Sequence, residues 1–113
     1  MDVLSSSTGD DKIAWYENDG SQSFVVHIID ANANGAISVY AIDLDNDGDM
    51  DVLSASLNDD KIAWYENDGN QSFTTHVITT SANGANDVFS IDMDGDGDMD
   101  VLSASILEDE IDW

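Results

Sequence analysis

The chain has 113 residues, of which 25 are acidic and only two are basic, so its formal net charge is −23. Nucleic acids and anionic membrane surfaces are bound through basic patches, so we expect neither partner and no membrane insertion. The absence of cysteine excludes disulfides and cysteine-ligated metal sites. With 42% hydrophobic residues the chain is too apolar for a disordered acidic tail, and this content predicts a small folded domain.

A duplication of 49 residues organises the chain. The sequence Met-Asp-Val-Leu-Ser begins at positions 1, 50 and 99, and residues 1–49 match residues 50–98 without a gap at 33 of 49 positions. A repeat of this length is typical of supersecondary units that bury their apolar faces only by stacking on neighbouring copies.

Each complete repeat predicts four short strands, because β-branched and aromatic residues cluster there without helical periodicity or proline. Asn-Asp-Gly at 18–20 and at 67–69 predicts a hairpin turn between the third and fourth strands. Four antiparallel strands in a repeat of this length are typical of a β-propeller blade. In chain order the predicted strands are 2–7, 12–18, 24–29, 39–44, 51–56, 61–67, 73–78, 88–93 and 100–105.

Two acidic loops carry the strongest functional signal, each between the first two strands of a unit. Carboxylates occupy loop positions 1, 3, 5, 7 and 9, and a glycine, Gly48 or Gly97, occupies position 6 with the positive φ that a sharp turn needs. Oxygen ligands in this number suit Ca²⁺. A solvated acidic turn is the alternative, but two copies in register favour about two calcium sites per chain. The candidate ligands are Asp43, Asp45, Asp47, Asp49 and Asp51, and Asp92, Asp94, Asp96, Asp98 and Asp100.

The start of each loop matches an EF-hand, but the rest does not. An EF-hand needs a bidentate glutamate at position 12 and a helix on either side. Position 12 is Ser54 or Ser103, and the flanking residues predict strands. We therefore expect the ninth residue, Asp51 or Asp100, to close a site in a strand–loop–strand unit.

Asp-x-Asp-x-Asp-Gly-x-x-Asp between two strands resembles the FG-GAP/VCBS repeat family of integrin-like propellers. Lys-Ile-Ala-Trp-Tyr-Glu-Asn-Asp-Gly at 12–20 and 61–69 resembles the form found in bacterial secreted and surface proteins, although the literal Phe-Gly and Gly-Ala-Pro motifs are missing. The resemblance covers essentially the whole chain and implies structural calcium in the loop between a blade's inner two strands. It implies main-chain ligation by Asp49 and Asp98, and side-chain ligation by Asp43, Asp45, Asp47 and Asp51 and by Asp92, Asp94, Asp96 and Asp100.

The predicted blades divide the chain unequally. Residues 1–36 supply strands 2-3-4 of a blade, residues 37–85 a complete blade, and residues 86–113 strands 1-2 and part of strand 3. Because two repeats cannot close a ring and an open sheet edge invites association, we expect a homo-oligomer. Strand 88–93 of one chain would complete the first blade of the next, so that a trimer has six blades and a tetramer eight.

The expected junction has one strand too many, because strand 100–105 of one chain and strand 2–7 of the next compete for the same place. The tail also differs from the repeat: Glu110 stands where the repeat has Lys61, and Asp112 stands where it has Ala63. We therefore expect residues 106–113 to have left the blade as a frayed or rerouted terminus.

The remaining notable side chains predict structural roles. His27 and His76 lie among apolar residues in the outermost strands, and we expect neither to be a base or a ligand. Lys12 and Lys61 each follow two aspartates and predict surface ion pairs. Alternating aromatic residues of the third strand predict packing between blades, with sugar stacking as the alternative: Trp15 and Tyr16, Trp64 and Tyr65.

No nucleophile–base spacing and no phosphate-binding glycine motif is present, and near-identical repeats leave no place for a unique active site, so we expect no enzyme. We expect an extracellular or cell-surface scaffold for binding or adhesion, with a glycan or an extracellular protein as candidate ligand. The alternative is a purely structural propeller fragment that assembles with Ca²⁺ as its only ligand. No signal peptide or membrane-length apolar run is present in these residues.

Overall fold

The computed structural model describes residues 1–107 and 110–113, which form ten strands and no helix. None of these residues therefore belongs to a helix long and apolar enough to cross a membrane. The strands are β1 (Val3–Ser7), β2 (Lys12–Asn18), β3 (Phe24–Asp30), β4 (Ala36–Ile42), β5 (Asp51–Ser56), β6 (Lys61–Asn67), β7 (Phe73–Thr79), β8 (Ala85–Ile91), β9 (Asp100–Ser105) and β10 (Glu110–Asp112).

The strands form three antiparallel sheets in chain order. The first sheet is β1–β2–β3, the middle sheet is β4–β5–β6–β7, and the third sheet is β8–β9–β10. Every pairing joins strands adjacent in sequence, so each sheet is a meander of hairpins. The all-β architecture of stacked antiparallel sheets agrees with the sequence prediction.

The Asn-Asp-Gly turns form the predicted hairpins. The amide of Asp19 donates to the carbonyl of Ser23 at 3.1 Å, and the amide of Asp68 donates to the carbonyl of Ser72 at 3.0 Å. Gly20 and Gly69 follow with φ of +80° and +77°, which glycine adopts without a steric penalty. Identical local sequences thus fold identically in both copies.

The middle sheet is covered on both faces, because successive side chains of a strand point to opposite sides. On one face Tyr65 and Val52 pack with Ile13 of the first sheet. On the other face Leu53 packs with Val88 of the third sheet. Tyr65, Leu53 and Ile13 are all 0% exposed, so the hydrophobic core lies between sheets rather than within one.

Two equivalent linkers, residues 31–35 and 80–84, fix the stacking of the sheets. The amide of Gly35 donates to Asp11 Oδ1 at 2.9 Å, and the amide of Gly84 donates to Asp60 Oδ1 at 2.8 Å. The carbonyl of Gly35 accepts the amide of Leu57 at 3.0 Å, so this linker is bonded to turns of the first and middle sheets. A Cβ at Gly35 would lie 2.7 Å from Asn58 Nδ2, and its φ of +70° also favours glycine.

The first strand of each unit begins and ends earlier than predicted. β4 starts at Ala36 because a bulge between Ala36 and Ser38 keeps Ala36 paired with Ser56. It ends at Ile42 because the next two residues turn into the acidic loop, where the amide of Leu44 donates to Asp51 Oδ2 at 3.1 Å. β8 shows the same shift.

The expectation that the tail has left its sheet is wrong for residues 110–112. β10 pairs with β9, with Ile111 opposite Ala104 and Asp112 opposite Ser103. Backbone groups make this ladder, so the change from alanine to Asp112 does not prevent it. Glu108 and Asp109 lie outside the described residues.

Candidate metal centres

Both acidic loops connect the first two strands of a sheet, as predicted. One joins β4 to β5 and the other joins β8 to β9, with strands on either side where an EF-hand has helices. Gly48 and Gly97 have φ of +97° and +99°. The residues two positions earlier, Asn46 and Gly95, also have positive φ, at +61° and +80°. Two left-handed positions turn each loop back on itself.

This turn brings three carboxylates of each loop together. Asp43, Asp45 and Asp51 each offer an oxygen, and these oxygens lie within 4.8 Å of one another. The second loop gathers its equivalent residues in the same way. Positions 1, 3 and 9 of each predicted ligand set therefore form a trio in the structure: Asp43, Asp45 and Asp51 in the first, and Asp92, Asp94 and Asp100 in the second.

Backbone amides orient the first and ninth carboxylates. Asp43 Oδ2 accepts the amide of Gly48 at 3.0 Å, and Asp51 accepts the amides of Leu44 and Asn67 at 3.1 and 2.8 Å. Asp51 is 0% exposed, so the carboxylate that closes the loop is fixed inside the middle sheet.

The second loop repeats two of these bonds. Asp92 Oδ2 accepts the amide of Gly97 at 3.0 Å, and Asp100 Oδ2 accepts the amide of Met93 at 2.8 Å. The two copies therefore agree in the atoms that set the trio. Asp100 is partly exposed where Asp51 is buried, because the third sheet has fewer neighbours among the described residues.

The structure does not bring the carboxylates of positions 5 and 7 into either trio. Asp47 Oδ1 accepts the amide of Asp49 at 2.9 Å, and Asp96 Oδ1 accepts the amide of Asp98 at 2.9 Å. The Asp49 side chain lies against the next hairpin, with Oδ2 2.5 Å from where a Cβ on Gly69 would stand. Ligation by positions 5 and 7 stays a prediction.

The donor set suits a hard cation. Within the described residues Asp43 Oδ1 is buried and has no hydrogen-bond partner, although a buried carboxylate oxygen normally has one. Desolvation, together with the charges of Asp47 and Asp51, raises the pKa of Asp45 above its ordinary value. Three crowded carboxylates with an unsatisfied oxygen fit a Ca²⁺ ion, which would bind that oxygen and offset the repulsion.

The structure gives each histidine an acidic partner that the sequence analysis missed. His27 Nε2 lies 3.0 Å from Glu17 Oε2, and His76 Nε2 lies 2.6 Å from Glu66 Oε2. Each histidine also stacks on the tryptophan of the adjacent strand, His27 on Trp15 with ring centroids 4.3 Å apart. Side chains alternate along a strand, so Trp15 and Glu17 lie on the same face, beside His27 of the paired strand. This alternation is the feature of the sequence that predicts the contact between His27 and Glu17.

The predicted lysine ion pairs are present. Lys12 Nζ lies 2.8 Å from Asp10 Oδ2, and Lys61 Nζ lies 3.2 Å from Asp59 Oδ2. The alternating aromatics of β6 also face as predicted, since Tyr65 packs toward the first sheet and Trp64 toward the third.

A cleft of about 320 Å³ lies between the first and middle sheets. Trp15 and Leu4 line it from the first sheet, and Asn67, Gln71 and Phe73 line it from the middle sheet. Within the described residues the indole Nε1 of Trp15 is buried without a hydrogen-bond partner. The cleft therefore combines an aromatic wall with amide side chains.

Comparison with protein families gives two matches to one family, the FG-GAP-like repeat, at residues 1–54 and 45–103. Comparison with curated proteins and with solved structures gives no significant match. The two matched segments cover most of the chain and include both acidic loops, in agreement with the resemblance seen in the sequence. The chain belongs to the FG-GAP-like repeat family.

Proposed function

We propose that this chain is a non-enzymatic, calcium-stabilised propeller scaffold for extracellular binding or adhesion. The observation that carries the proposal is the pair of carboxylate trios, one in each acidic loop, oriented by the same backbone amides. Membership of the FG-GAP-like repeat family supports an extracellular, adhesion-type scaffold, and the stacked four-stranded unit supports the blade assignment.

Calcium has a structural role in this proposal. An ion on Asp43, Asp45 and Asp51 ties the end of β4 to the start of β5, which is the most buried strand of the middle sheet. The ion also offsets part of a net charge of −23, which otherwise opposes a compact state. Because the trio is assembled by folding, binding raises stability with calcium concentration.

Calorimetric titration with Ca²⁺ tests this function. We expect two ions per chain, with dissociation constants on the order of 10⁻⁴–10⁻³ M, as in extracellular modules. Asp45→Asn and Asp94→Asn should each weaken one site at least about tenfold and leave the other unchanged. Asp49→Asn is the matched control, because it keeps the main-chain carbonyl and should retain both sites. A chain that binds no calcium, or loses nothing in either loop variant, contradicts the proposal.

The same titration of Asp47→Asn examines the fifth loop position. The implied ligand set includes the Asp47 side chain, which lies outside the trio in this structure. Weaker binding in Asp47→Asn indicates that this carboxylate moves onto the ion. Unchanged binding restricts the side-chain ligands to the trio.

Carbohydrate is the candidate ligand class that the cleft favours. An aromatic wall and amide groups at Asn67 and Gln71 suit a sugar, which presents apolar faces and hydroxyls together. A glycan array probed with the calcium-loaded protein tests this ligand class. No binding favours the alternative, a structural module with Ca²⁺ as its only ligand.

A matched pair of variants locates any glycan that binds. Gln71 and Gln22 are repeat-equivalent and have φ of +65° and +69°, but Gln71 lines the cleft and Gln22 does not. Asparagine tolerates this φ and is one methylene shorter. Gln71→Asn should weaken glycan binding while Gln22→Asn should not. Equal effects of the two substitutions would place the glycan elsewhere.

A further inference from the structure

The two end sheets expose residues that the middle sheet buries. Val52 is 4% exposed between the first and middle sheets, whereas its repeat-equivalent Val3 is 50% exposed on the outer face of the first sheet. Ile62 is 1% exposed between the middle and third sheets, whereas its equivalent Ile111 is 76% exposed. The two outer faces are therefore copies of two faces that already pack against each other inside the chain.

The edges of the end sheets are also complementary. β1 pairs only with β2 among the described residues, whereas its equivalent β5 lies between β4 and β6. The missing neighbour of β1 is a first strand, and β8 is such a strand. β8 packs against β4 and β5, and the linker before it is bonded to Asp60, so it is held by the middle sheet independently of β9.

β1 can make the pairing that β9 now makes. Their sequences are Val-Leu-Ser-Ser-Ser and Val-Leu-Ser-Ala-Ser, and they differ only at Ser6 and its equivalent Ala104. β9 places Val101 opposite Ser90, whose hydroxyl donates to the carbonyl of Asp100 at 2.7 Å. Asp2, just before β1, and Val3, the first residue of β1, are the repeat equivalents of Asp100 and Val101, so β1 offers β8 the same ladder and Asp2 offers the carboxylate that Asp100 gives to the second trio.

The hairpin β9–β10 is a weaker partner for β8 than the three strands β1–β3 of another chain. β10 has three residues, whereas β1 is followed by β2 and β3 with seven residues each. Asp112 stands where Ala63 is 0% exposed and Ala14 is 5% exposed, so a carboxylate replaces a side chain that the repeat buries. Exchanging β9–β10 for β1–β3 of another chain therefore adds a fourth strand and removes this misfit.

We propose that β8 of one copy of this chain pairs with β1 of a second copy, which displaces β9–β10 and forms the four-stranded sheet β8–β1–β2–β3. The proposal rests on the blade assignment of the proposed function. Each chain then supplies two complete blades, and the contact is head-to-tail, the type of contact that closes into a ring when its rotation divides a full turn. The charge of −23 per chain opposes this contact, and calcium in the acidic loops and added salt both weaken the repulsion.

Light scattering of the full chain with calcium measures the association. We expect a discrete species of three or four times the 12.2 kDa chain mass, and a smaller species in chelator. A monomer at every protein concentration in calcium overturns the proposal. Calcium calorimetry on the same sample separates the two claims: a monomer that binds calcium refutes the exchange alone, whereas a chain that binds no calcium refutes the proposed function.

Two pairs of cysteines distinguish strand exchange from other association, since the chain has no native cysteine. Ser90→Cys with Val101→Cys should lock β9 to β8 within one chain, keep the protein monomeric in calcium, and release oligomers on reduction. Ser90→Cys with Val3→Cys should give disulfide-linked chains. Ser90→Cys with Leu4→Cys is the control, because the Leu4 side chain points to the opposite face. Oligomers of the locked protein, or equal linkage in the Leu4 control, would overturn the exchange.

Discussion

Removing one hydroxyl at the junction of the first and middle sheets should destabilise the protein measurably. The Tyr65 ring is buried between these sheets, and its hydroxyl donates to Asp30 Oδ2 at 2.8 Å. Burial, reinforced by the bond to Asp30, raises the pKa of Tyr65, so the hydroxyl stays protonated and donates. Tyr65→Phe keeps the ring, leaves the Asp30 carboxylate without this donor, and removes the acceptor of the long 3.4 Å hydrogen bond from the Ser54 hydroxyl.

The expected cost follows from the surroundings of that bond. Hydrogen bonds to charged groups contribute about 1.5–3 kcal/mol. Asp30 is partly exposed, and water can replace the lost donor, so the low end of this range applies, about 1.5 kcal/mol. For a domain of this size each kcal/mol corresponds to about 4 °C, so the melting temperature should fall by about 6 °C.

Urea denaturation and thermal melting of Tyr65→Phe test this value. Tyr16→Phe is the matched control, because Tyr16 holds the equivalent position on the outer face of the first sheet and no hydrogen bond to its hydroxyl occurs among the described residues. The control should melt like the parent protein. Equal losses in the two variants, or no loss in Tyr65→Phe, would refute the claim that this bond joins the sheets.

Three further substitutions probe the metal loops and the core. Asp45→Asn should stabilise the metal-free protein but weaken calcium binding at least tenfold or so. The raised pKa of Asp45 means that its protonated form favours folding, so the contribution of this carboxylate to the stability of the metal-free protein falls as pH rises through the carboxyl range, and Asp45→Asn removes that contribution. Leu53→Ala should lower the free energy of unfolding, measured by urea denaturation, by about 2–5 kcal/mol, because Leu53 is 0% exposed. Its control is Val25→Ala, at a site 54% exposed, which should change that free energy by less than about 0.5 kcal/mol. Gly48→Ala should cost about 1–2 kcal/mol of stability in thermal melting, because the φ of Gly48 is +97°. It should also weaken calcium binding, because the amide of Gly48 orients Asp43. Gly9→Ala is the control and should leave stability unchanged. Opposite outcomes, such as an Asp45→Asn protein less stable without metal, would contradict the geometry of the loops.

Repetition explains why the sequence predicts so much of this fold. Positions 61–67 and 12–18 share one sequence, and both form a third strand with the predicted bounds. The 49-residue offset also places the acidic loops between paired strands. Local composition and an internal comparison suffice for these features because each unit repeats the same hairpins.

The features that the sequence does not predict depend on interactions with residues outside the local segment. The early start of β4 depends on a bulge opposite Ser56. The pairing of β10 depends on backbone groups and is insensitive to Asp112. The separation of Asp47 from the trio depends on the loop conformation, in which Asp47 Oδ1 accepts the amide of Asp49, and alternation alone does not reveal this conformation. Each requires knowledge of a partner strand or of the turn conformation.

A crystal structure of the calcium-loaded protein, with anomalous difference maps, tests the central claim most directly. The account predicts two calcium peaks per chain, one bound by Asp43, Asp45 and Asp51 and the other by Asp92 and Asp94 together with Asp100 or, where the strands are exchanged, with Asp2 of the second copy. Calcium absent from these trios, or bound only at exposed carboxylates elsewhere on the chain, would contradict it.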